Sequence, residues 1–368
     1  MDAALRSIHV HAYRIPTETS ESDGTLEWSA TTMVLCEVEA GGKTGLGWTY
    51  CDVSAALLIE QTLAPLLEGR DGMAIGARWD NMIRATRNLG RPGIVSCAVS
   101  AVDNALHDLR GKLLNAPLAD LLGRRRDSVP VYGSGGFTSY DDRQLAEQAG
   151  GWAAEGLPAV KIKIGRDPAD DPRRMRVAKE AMGDGCALFI DANGALSRKQ
   201  ATAMAEEAAT LGATWFEEPV SSDDLEGLRL IRDAGPPGVE ITAGEYGYDE
   251  VYFRRMCEGG AVDVLQADAT RAAGITGFME AAATAQAFGL PLSSHTAPAL
   301  HLHACCAAPN LRHMEWFFDH VRVERMFFDG APEPHAGHIA PDLSRPGLGL
   351  DFRRQDAERY RVWPKEGG

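Results

Sequence analysis

The chain lacks the features that would assign it to several large classes. No stretch approaches the roughly 18 consecutive apolar residues of a membrane span, and the opening MDAALRSIHVHAYRIP has no uninterrupted apolar core of a secretory leader. The seven cysteines (Cys36, Cys51, Cys97, Cys186, Cys257, Cys305 and Cys306) are odd in number and form no C-x-x-C pair. Neither a disulfide framework nor a thiolate zinc or redox centre is therefore expected. Positive charge is in deficit, with 37 Lys and Arg against 52 Asp and Glu and a net charge of -15. That balance repels nucleic-acid phosphates and anionic lipid alike. These absences lead us to expect a soluble, unprocessed, cytoplasmic protein whose partner is a small molecule, with no nucleic acid and no membrane.

What is present is enough for two domains, since 368 residues with a 45% hydrophobic share can build sizeable cores. The run TTMVLCEVEA, a turn at Gly41-Gly42 and GLGWTY read as an antiparallel hairpin. In CAVSAVDNALHDLRGKLL, Val99, Val102, Ala105, Leu106 and Leu109 fall at helical spacing, and Pro117 starts a short continuation to Leu122. Residues 1–127 are thus expected to form an α+β unit, ended by the polar run Arg124 to Ser128.

From there short apolar strands alternate with helices every 20 to 30 residues or so, the rhythm of a parallel sheet. The expected strands are VPVYG from Val129, AVKIKI from Ala159, ALFID from Ala187, TWFEE from Thr214, EITAGE from Glu240, DVLQAD from Asp263, PLSSH from Pro291 and HMEW from His313. Helix starts are read at Asp167-Pro168, as N-cap and first-turn proline, and at Ser197 with Gln200, as a capping box; Gly289 closes a helix. Eight strands suit a closed barrel over residues 128–345. A doubly wound open sheet would need a phosphate loop after its first strand, and GSGGF from Gly133 has the glycines without the spacing. The tail 346–368 is expected to leave the barrel and return to the first domain.

In a β/α barrel the strand C-termini and the loops after them build the active site. Asp191 ends the third expected strand, Glu217 the fourth and Glu245 the fifth. One such acid is as readily a helix cap, but three in succession point to a cation. Carboxylates so close raise one another's pKa unless a metal neutralises them, and an all-oxygen set selects Mg2+, or Mn2+ in its place. Lys161 and Lys163 lie two apart on the second strand and share a face. Val160, Ile162 and Ile164 suit the strand–helix interface, so the lysines point inward, where they need carboxylates nearby. Mutual repulsion is expected to bring Lys163 from about 10.4 toward the roughly 7 to 8 of a general base. Asp268 and His295, at the ends of the sixth and seventh strands, form a second acid/base dyad. Glu315 on the eighth completes the ring and, if protonated, could donate a hydrogen bond to a developing oxyanion. His301, His303, His335 and His338 read as structural or solvated, and Cys305-Cys306 as core.

In order, VKIKIG, FIDANG, WFEEP, TAGE, LQAD, SSH and MEW resemble the mandelate racemase subgroup of the enolase superfamily over nearly the whole chain. SAVDNALHDLRGKLLNAPLADLLG also looks like that family's N-terminal capping domain, and PGLG like its usual return. The resemblance implies a modified TIM barrel, (β/α)7β, under an α+β cap whose loops set specificity, and association into homo-oligomers. It implies Mg2+ on Asp191, Glu217 and Glu245, with the first glutamate of WFEEP as ligand rather than Glu218. It further implies Lys163 as base on one face of a small carboxylate substrate, His295 with Asp268 on the other, Lys161 as electrostatic helper and Glu315 near the carboxylate. Ser134 and Asn193 match positions that touch substrate in relatives. Arg271 departs from the lysine many relatives carry there, which keeps charge but changes reach and weakens any inference of mandelate as the substrate. Within the cap, residues 18–28 and 48–51 are the expected specificity segments; Trp28 reads equally as a lid residue or a core aromatic, and with Arg271 it is an expected substrate contact.

The chemistry so implied is abstraction of the proton α to a carboxylate through an enediolate. By analogy with relatives sharing this set, the expected outcome is dehydration of an aldonate or aldarate to a 2-keto-3-deoxy acid. The alternatives are a racemase, epimerase or cycloisomerase using the same residues, a non-catalytic sugar-acid binder, and a class I aldolase with Lys163 as Schiff base, in which the three acids would have no role.

Overall fold

Alternation and turn chemistry build the first sheet. In the computed structural model, which describes residues 2–364, strand β1 (Ser7–Ser22) pairs antiparallel with β2 (Glu27–Ala40), and β2 with β3 (Lys43–Tyr50). The β2–β3 turn falls on Gly41 and Gly42, at φ +55 and +73, the left-handed region that glycine enters without steric cost. The strand Arg361–Trp363 joins the free edge of β1, so the chain's last described strand completes a four-stranded sheet with the first three.

The long helix Ile94–Leu114 lies across this sheet, with Val99, Val102, Ala105, Leu106 and Leu109 all fully buried. It comes close because β3 presents glycine: a Cβ at Gly47 would stand 2.2 Å from Ala105 N and 2.3 Å from Ala101 O. The same helix carries polar anchors toward the barrel. Asn104 Oδ1 accepts from Ile275 N at 2.9 Å, and its amide donates to the Ala269 carbonyl at 3.0 Å.

The second unit is a closed ring of parallel strands: β4 (Val129–Gly135), β5 (Ala159–Lys163), β6 (Ala187–Asp191), β7 (Ala213–Glu217), β8 (Glu240–Ala243), β9 (Val264–Ala267), β10 (Leu292–Ser294) and β11 (Leu311–Phe317). Pairing of Met314 with Val131 and Glu315 with Tyr132 closes it. The architecture is a modified TIM barrel with an antiparallel cap; after β11 the helix Phe318–Phe327 leads the chain away toward the first sheet. Along β5 the period of two sends Val160 and Ile162 into the core shared with the outer helices, while Ala159 joins Tyr132, Phe189, Trp215 and Val264 inside the barrel. Phe189 and Trp215 stack at 5.2 Å, and this aromatic plug floors the site.

Ser197 and Gln200 form the expected capping box, and Gly289, at φ +72, follows the helix Gly274–Ala287. One helix start differs from expectation. The helix after β5 begins at Asp171 with Asp170 as N-cap, not at Asp167-Pro168. The Asp167 carbonyl accepts from Asp170 N and Asp171 N at 2.9 and 3.1 Å, so Asp167-Pro168 makes the preceding turn and Pro172 takes the first-turn role. Among the described residues no helix is long and apolar enough to cross a membrane.

The close approach of β3 and the long helix is testable. Gly47→Val should lower the urea midpoint by an amount equivalent to about 3 kcal/mol, at or above the usual range for overpacking. Gly42→Ala, where a Cβ meets nothing within 4 Å but φ is +73, should cost about 1 kcal/mol. Equal losses at the two positions would show that the cap does not press its helix on this strand.

Candidate active site

The parallel register sets three acids at one level. Asp191 is paired with Glu217 across β6 and β7, and Lys163 with Asp191 across β5 and β6; Glu245 follows β8 by two residues. One carboxylate oxygen from each of Asp191, Glu217 and Glu245 lies within 4.8 Å of the others, and all three residues are buried. Lys161, fully buried, sits beneath them with Nζ 2.7 Å from both Glu217 oxygens, 2.8 Å from Glu315 Oε1 and 3.7 Å from Asp191 Oδ2. Its ammonium also stands 5.5 Å from the centre of the Tyr132 ring. Burial works against this charge, but Glu217 and Glu315 outweigh it and hold the amine well above its ordinary range.

Lys163 Nζ lies 2.5 Å from Asp191 Oδ2 and lines the cavity above. Burial and Lys161 both act to lower its pKa, yet Asp191, Glu245 and Glu217 together raise it. This reverses the expectation from the lysine pair alone: at 2.5 Å the carboxylate outweighs the neighbouring ammonium. Lys163 becomes a base only when something else takes up the carboxylates' charge.

On the other flank, His295 follows β10 and pairs Nδ1 with Asp268 Oδ2 at 2.8 Å, while Nε2 faces Glu245 Oε2 at 3.3 Å. Burial would lower the imidazole's pKa, but Glu245 and Asp268 raise it. Asp268 is fixed by Thr270 N, which donates to Oδ1 at 2.6 Å. Behind the dyad, His301 accepts from Ala269 N at 2.7 Å, and His303 accepts from Ala119 N at 3.1 Å, so both are structural. Cys305 and Cys306 are buried in the same helix.

Glu315 differs from its expected role. Its Oε1 accepts from Ser134 Oγ at 2.6 Å and its Oε2 from Thr296 N at 2.8 Å, with Lys161 alongside. Burial raises its pKa, but Lys161, His295 and Lys163 pull it well below the ordinary range. It is an ionised acceptor here, not a protonated donor. Ser134, expected to touch substrate, is fully buried and gives its hydroxyl to Glu315, beneath the cavity. Asn193 does reach the cavity wall; its backbone, at φ +45, donates to Asp191 Oδ1 at 2.8 Å, while its side-chain Oδ1 has no partner.

The cavity, about 660 Å³, lies between cap and barrel and is lined by Lys163, Glu245, Arg271 and His295 on one side and by Trp28 and Tyr50 on the other. Arg271 Nη1 is 3.3 Å from the Glu245 carbonyl oxygen and from its Oε1, and the guanidinium covers the Tyr246 ring at 5.1 Å. Trp28 donates its indole N–H to Glu21 Oε2 at 2.9 Å and meets Phe137 edge-on. Glu218, the second glutamate of WFEEP, is also buried but lines a neighbouring cavity of about 540 Å³, outside the triad. Two contributors carry no local sequence signal: buried Asp319, held by Thr31 and Arg322, and His320, stacked on Tyr50 at 3.5 Å; they meet Glu21, which lies in the expected segment 18–28. Only the fold brings them to the cap–barrel seam.

Three carboxylates, all oxygen donors, converge in a buried place, and Glu245 Oε2 accepts no hydrogen bond. That fits a hard divalent cation.

Comparison with known proteins agrees with this geometry. Residues 8–123 match the family model described as the mandelate racemase / muconate lactonizing enzyme N-terminal domain, and residues 144–357 that of the enolase C-terminal domain-like family. A mandelate racemase/muconate lactonizing enzyme-like protein from Rubrobacter xylanophilus is 51% identical, with a TM-score of 0.95 over 98% of this chain and 100% of that one. A racemase from Streptomyces coelicolor A3(2), solved with bound magnesium, is 30% identical with a TM-score of 0.91 over 97% of this chain and 100% of that one. The arabinonate dehydratase of Saccharolobus solfataricus is 30% identical over 89% of this chain and 90% of its own length.

The Glu21–Trp28 contact yields a prediction. Burial first, then Asp319, push the Glu21 carboxyl up to about 8, against the partial relief given by Trp28 and Arg322. The unfolded chain therefore loses this proton at lower pH than the native one. Stability is fully retained below the unfolded value of 4.5, falls as pH rises toward about 8 and then levels off. Glu21→Gln should be nearly neutral at pH 4.5 and raise the melting temperature relative to the parent at pH 8.5; the same shift at both pH values would refute a buried, protonated Glu21.

Proposed function

The chain belongs to the mandelate racemase/muconate lactonizing enzyme family of the enolase superfamily, and from that premise we propose that it is a magnesium-dependent sugar-acid dehydratase. It is an enzyme of the lyase or isomerase type, as its relatives are. The observation that carries the proposal is the pair of proton-transfer groups flanking one buried acidic triad: Lys163 against Asp191, and His295 against Glu245. Asp191, Glu217 and Glu245 would hold the ion. Bound there, Mg2+, or Mn2+ on the same donors, would supply Lewis-acid stabilisation of a substrate carboxylate and would offset the acidic field around Lys163.

Lys163 takes the α-proton. The electron pair of that C–H bond moves into the carboxylate and gives an enediolate, whose second negative charge Lys161 offsets from a fixed position. When the pair returns, the C2–C3 double bond forms and the C3–O bond breaks, with His295 giving its proton to the departing hydroxyl. Water leaves, and the enol tautomerises to a 2-keto-3-deoxy acid. Asp268 orients His295 and favours its imidazolium form. Glu315, tied to Ser134, Thr296 and Lys161, keeps the helper lysine in place.

The magnesium-bound racemase among the similar structures supports a second reading on the same residues. Without a leaving group at C3, His295 would return a proton to the opposite face and invert the centre.

A panel of sugar acids incubated with Mg2+ in D2O distinguishes these readings. We expect 2-keto acid from at least one substrate, abolished by chelation and reduced about 10²–10⁴-fold by Lys163→Ala. His295→Asn should retain exchange of the α-proton while losing product. Inversion without 2-keto acid would mean an isomerase, no exchange with any acid a binder without turnover, and inactivation by borohydride in the presence of substrate a Schiff-base aldolase.

A further inference from the structure

The cavity is electrically lopsided. Its cations, Lys163, Arg271 and His295, all stand on the barrel side, above the acidic triad. The cap contributes Asp23, Trp28, Thr31, Thr32, Tyr50 and Asp52 to the opposite wall, and among the described lining residues no Lys, Arg or His comes from the cap. Asp23 Oδ1 accepts from Thr25 N and Leu26 N at 2.6 and 2.7 Å, and Asp52 Oδ1 from Ser54 N at 2.9 Å. Among the described residues, the hydrogen bonds to these two side chains all go to Oδ1. Behind this wall lie Glu21, which burial keeps protonated, and Asp319, which is paired with Arg322, so neither offers a cation to a ligand.

Of the cations that come near, Arg14, exposed on β1 opposite Thr32, acts on Asp52 from outside the cavity and does not line it, and the others are committed elsewhere. Arg271, the one guanidinium lining the cavity among the described residues, is bound to Glu245 and lies 3.8 Å from Asp268. Arg322 donates to Asp319 and to the Pro16 carbonyl at 2.6 and 2.9 Å and does not line the cavity. His320 stacks on Tyr50, and burial drives its pKa down to about 3, so it is uncharged. Recognition of a second carboxylate calls for an unpaired, planar donor such as arginine, and this wall offers acceptors and hydroxyls instead. Those groups match the hydroxyls of a sugar, each of which both donates and accepts.

Given the proton-abstraction reading above, we propose that the substrate is a monoacid, an aldonate whose single carboxylate sits at the triad and whose uncharged polyhydroxyl tail meets the cap wall, and that aldarates are excluded. A diacid would bring its far carboxylate to Asp23 and Asp52 without a counter-charge, and like charges across an interface are an effective means of rejecting a wrong partner. A cavity of about 660 Å³ has room for either acid, so charge and not size makes the choice.

The test compares kcat/KM for aldonates and for aldarates of the same chain length and configuration, with α-proton exchange in D2O as a second readout. We expect aldonates to be favoured by at least about 100-fold in both. Thr32→Arg, which sets a cation in the cap wall, should raise the aldarate-to-aldonate ratio at least about tenfold, and Asp52→Asn, at the exposed rim, should move it in the same direction by a smaller factor. Aldarates processed within about threefold of aldonates would overturn the inference while leaving dehydration intact. An aldonate preference unmoved by both substitutions would overturn it too, because the wall's charge would not be its cause. Absence of exchange with every acid of either class would overturn the proposed function, and this inference with it.

Discussion

The contact on which the site depends is that of Lys161 with the acids around it. An ammonium with no solvent exposure is costly in a protein interior, and so is each of the carboxylates at Asp191, Glu217 and Glu315. They are tolerated together because Nζ lies 2.7 Å from both Glu217 oxygens and 2.8 Å from Glu315. Glu217, which burial pushes up to about 7 even with that lysine beside it, shows how heavily the acids lean on the cation. Removing one partner from such a network leaves an uncompensated buried charge. The network therefore holds the acids in place around one buried cation.

Around that contact the barrel does the positioning. Parallel register sets Lys163, Asp191 and Glu217 at one height, and the loops after β8, β9 and β10 bring in Glu245, Asp268 and His295 from the far side. The aromatic floor of Tyr132, Phe189 and Trp215 keeps water from beneath, and Trp215 donates to Glu217 Oε2 at 3.0 Å. The cap closes the cavity from above and gives it an acidic, hydroxylated wall. On the proposed reading chemistry belongs to the barrel and selection to the cap, and Asn104 on the long helix joins the two.

Much of this was legible in the sequence because it rests on short-period geometry. The spacing of two between Lys161 and Lys163 places both on one face of a strand, and acids at successive strand ends converge wherever strands close into a ring. What sequence could not give was the state of those groups. Glu315 was open to a protonated reading, but Ser134, Thr296 and Lys161 make it an ionised acceptor, and all three arrive from other elements. The direction of the Lys163 shift likewise depends on Asp191, Glu245 and Glu217, which three other strands bring around it. At the cap–barrel seam, Thr31 meets Asp319 and Tyr50 meets His320 across more than 250 residues of chain, beyond the reach of any local pattern. The helix start expected at Asp167-Pro168 moves for a local reason, since Asp171-Pro172 repeats the Asp-Pro pair one turn later and Pro172 serves the first turn, although the Asp170 side chain makes no cap hydrogen bond.

The most direct test of this account is calorimetric titration of the metal-free protein with Mg2+. We predict one ion per chain, with affinity lost in Asp191→Asn and Glu245→Gln well beyond the roughly 10–100-fold typical of an outer-shell partner, and retained in Glu218→Gln, whose side chain lies outside the triad. Undiminished binding in the first two variants, or its loss in the third, would contradict the account.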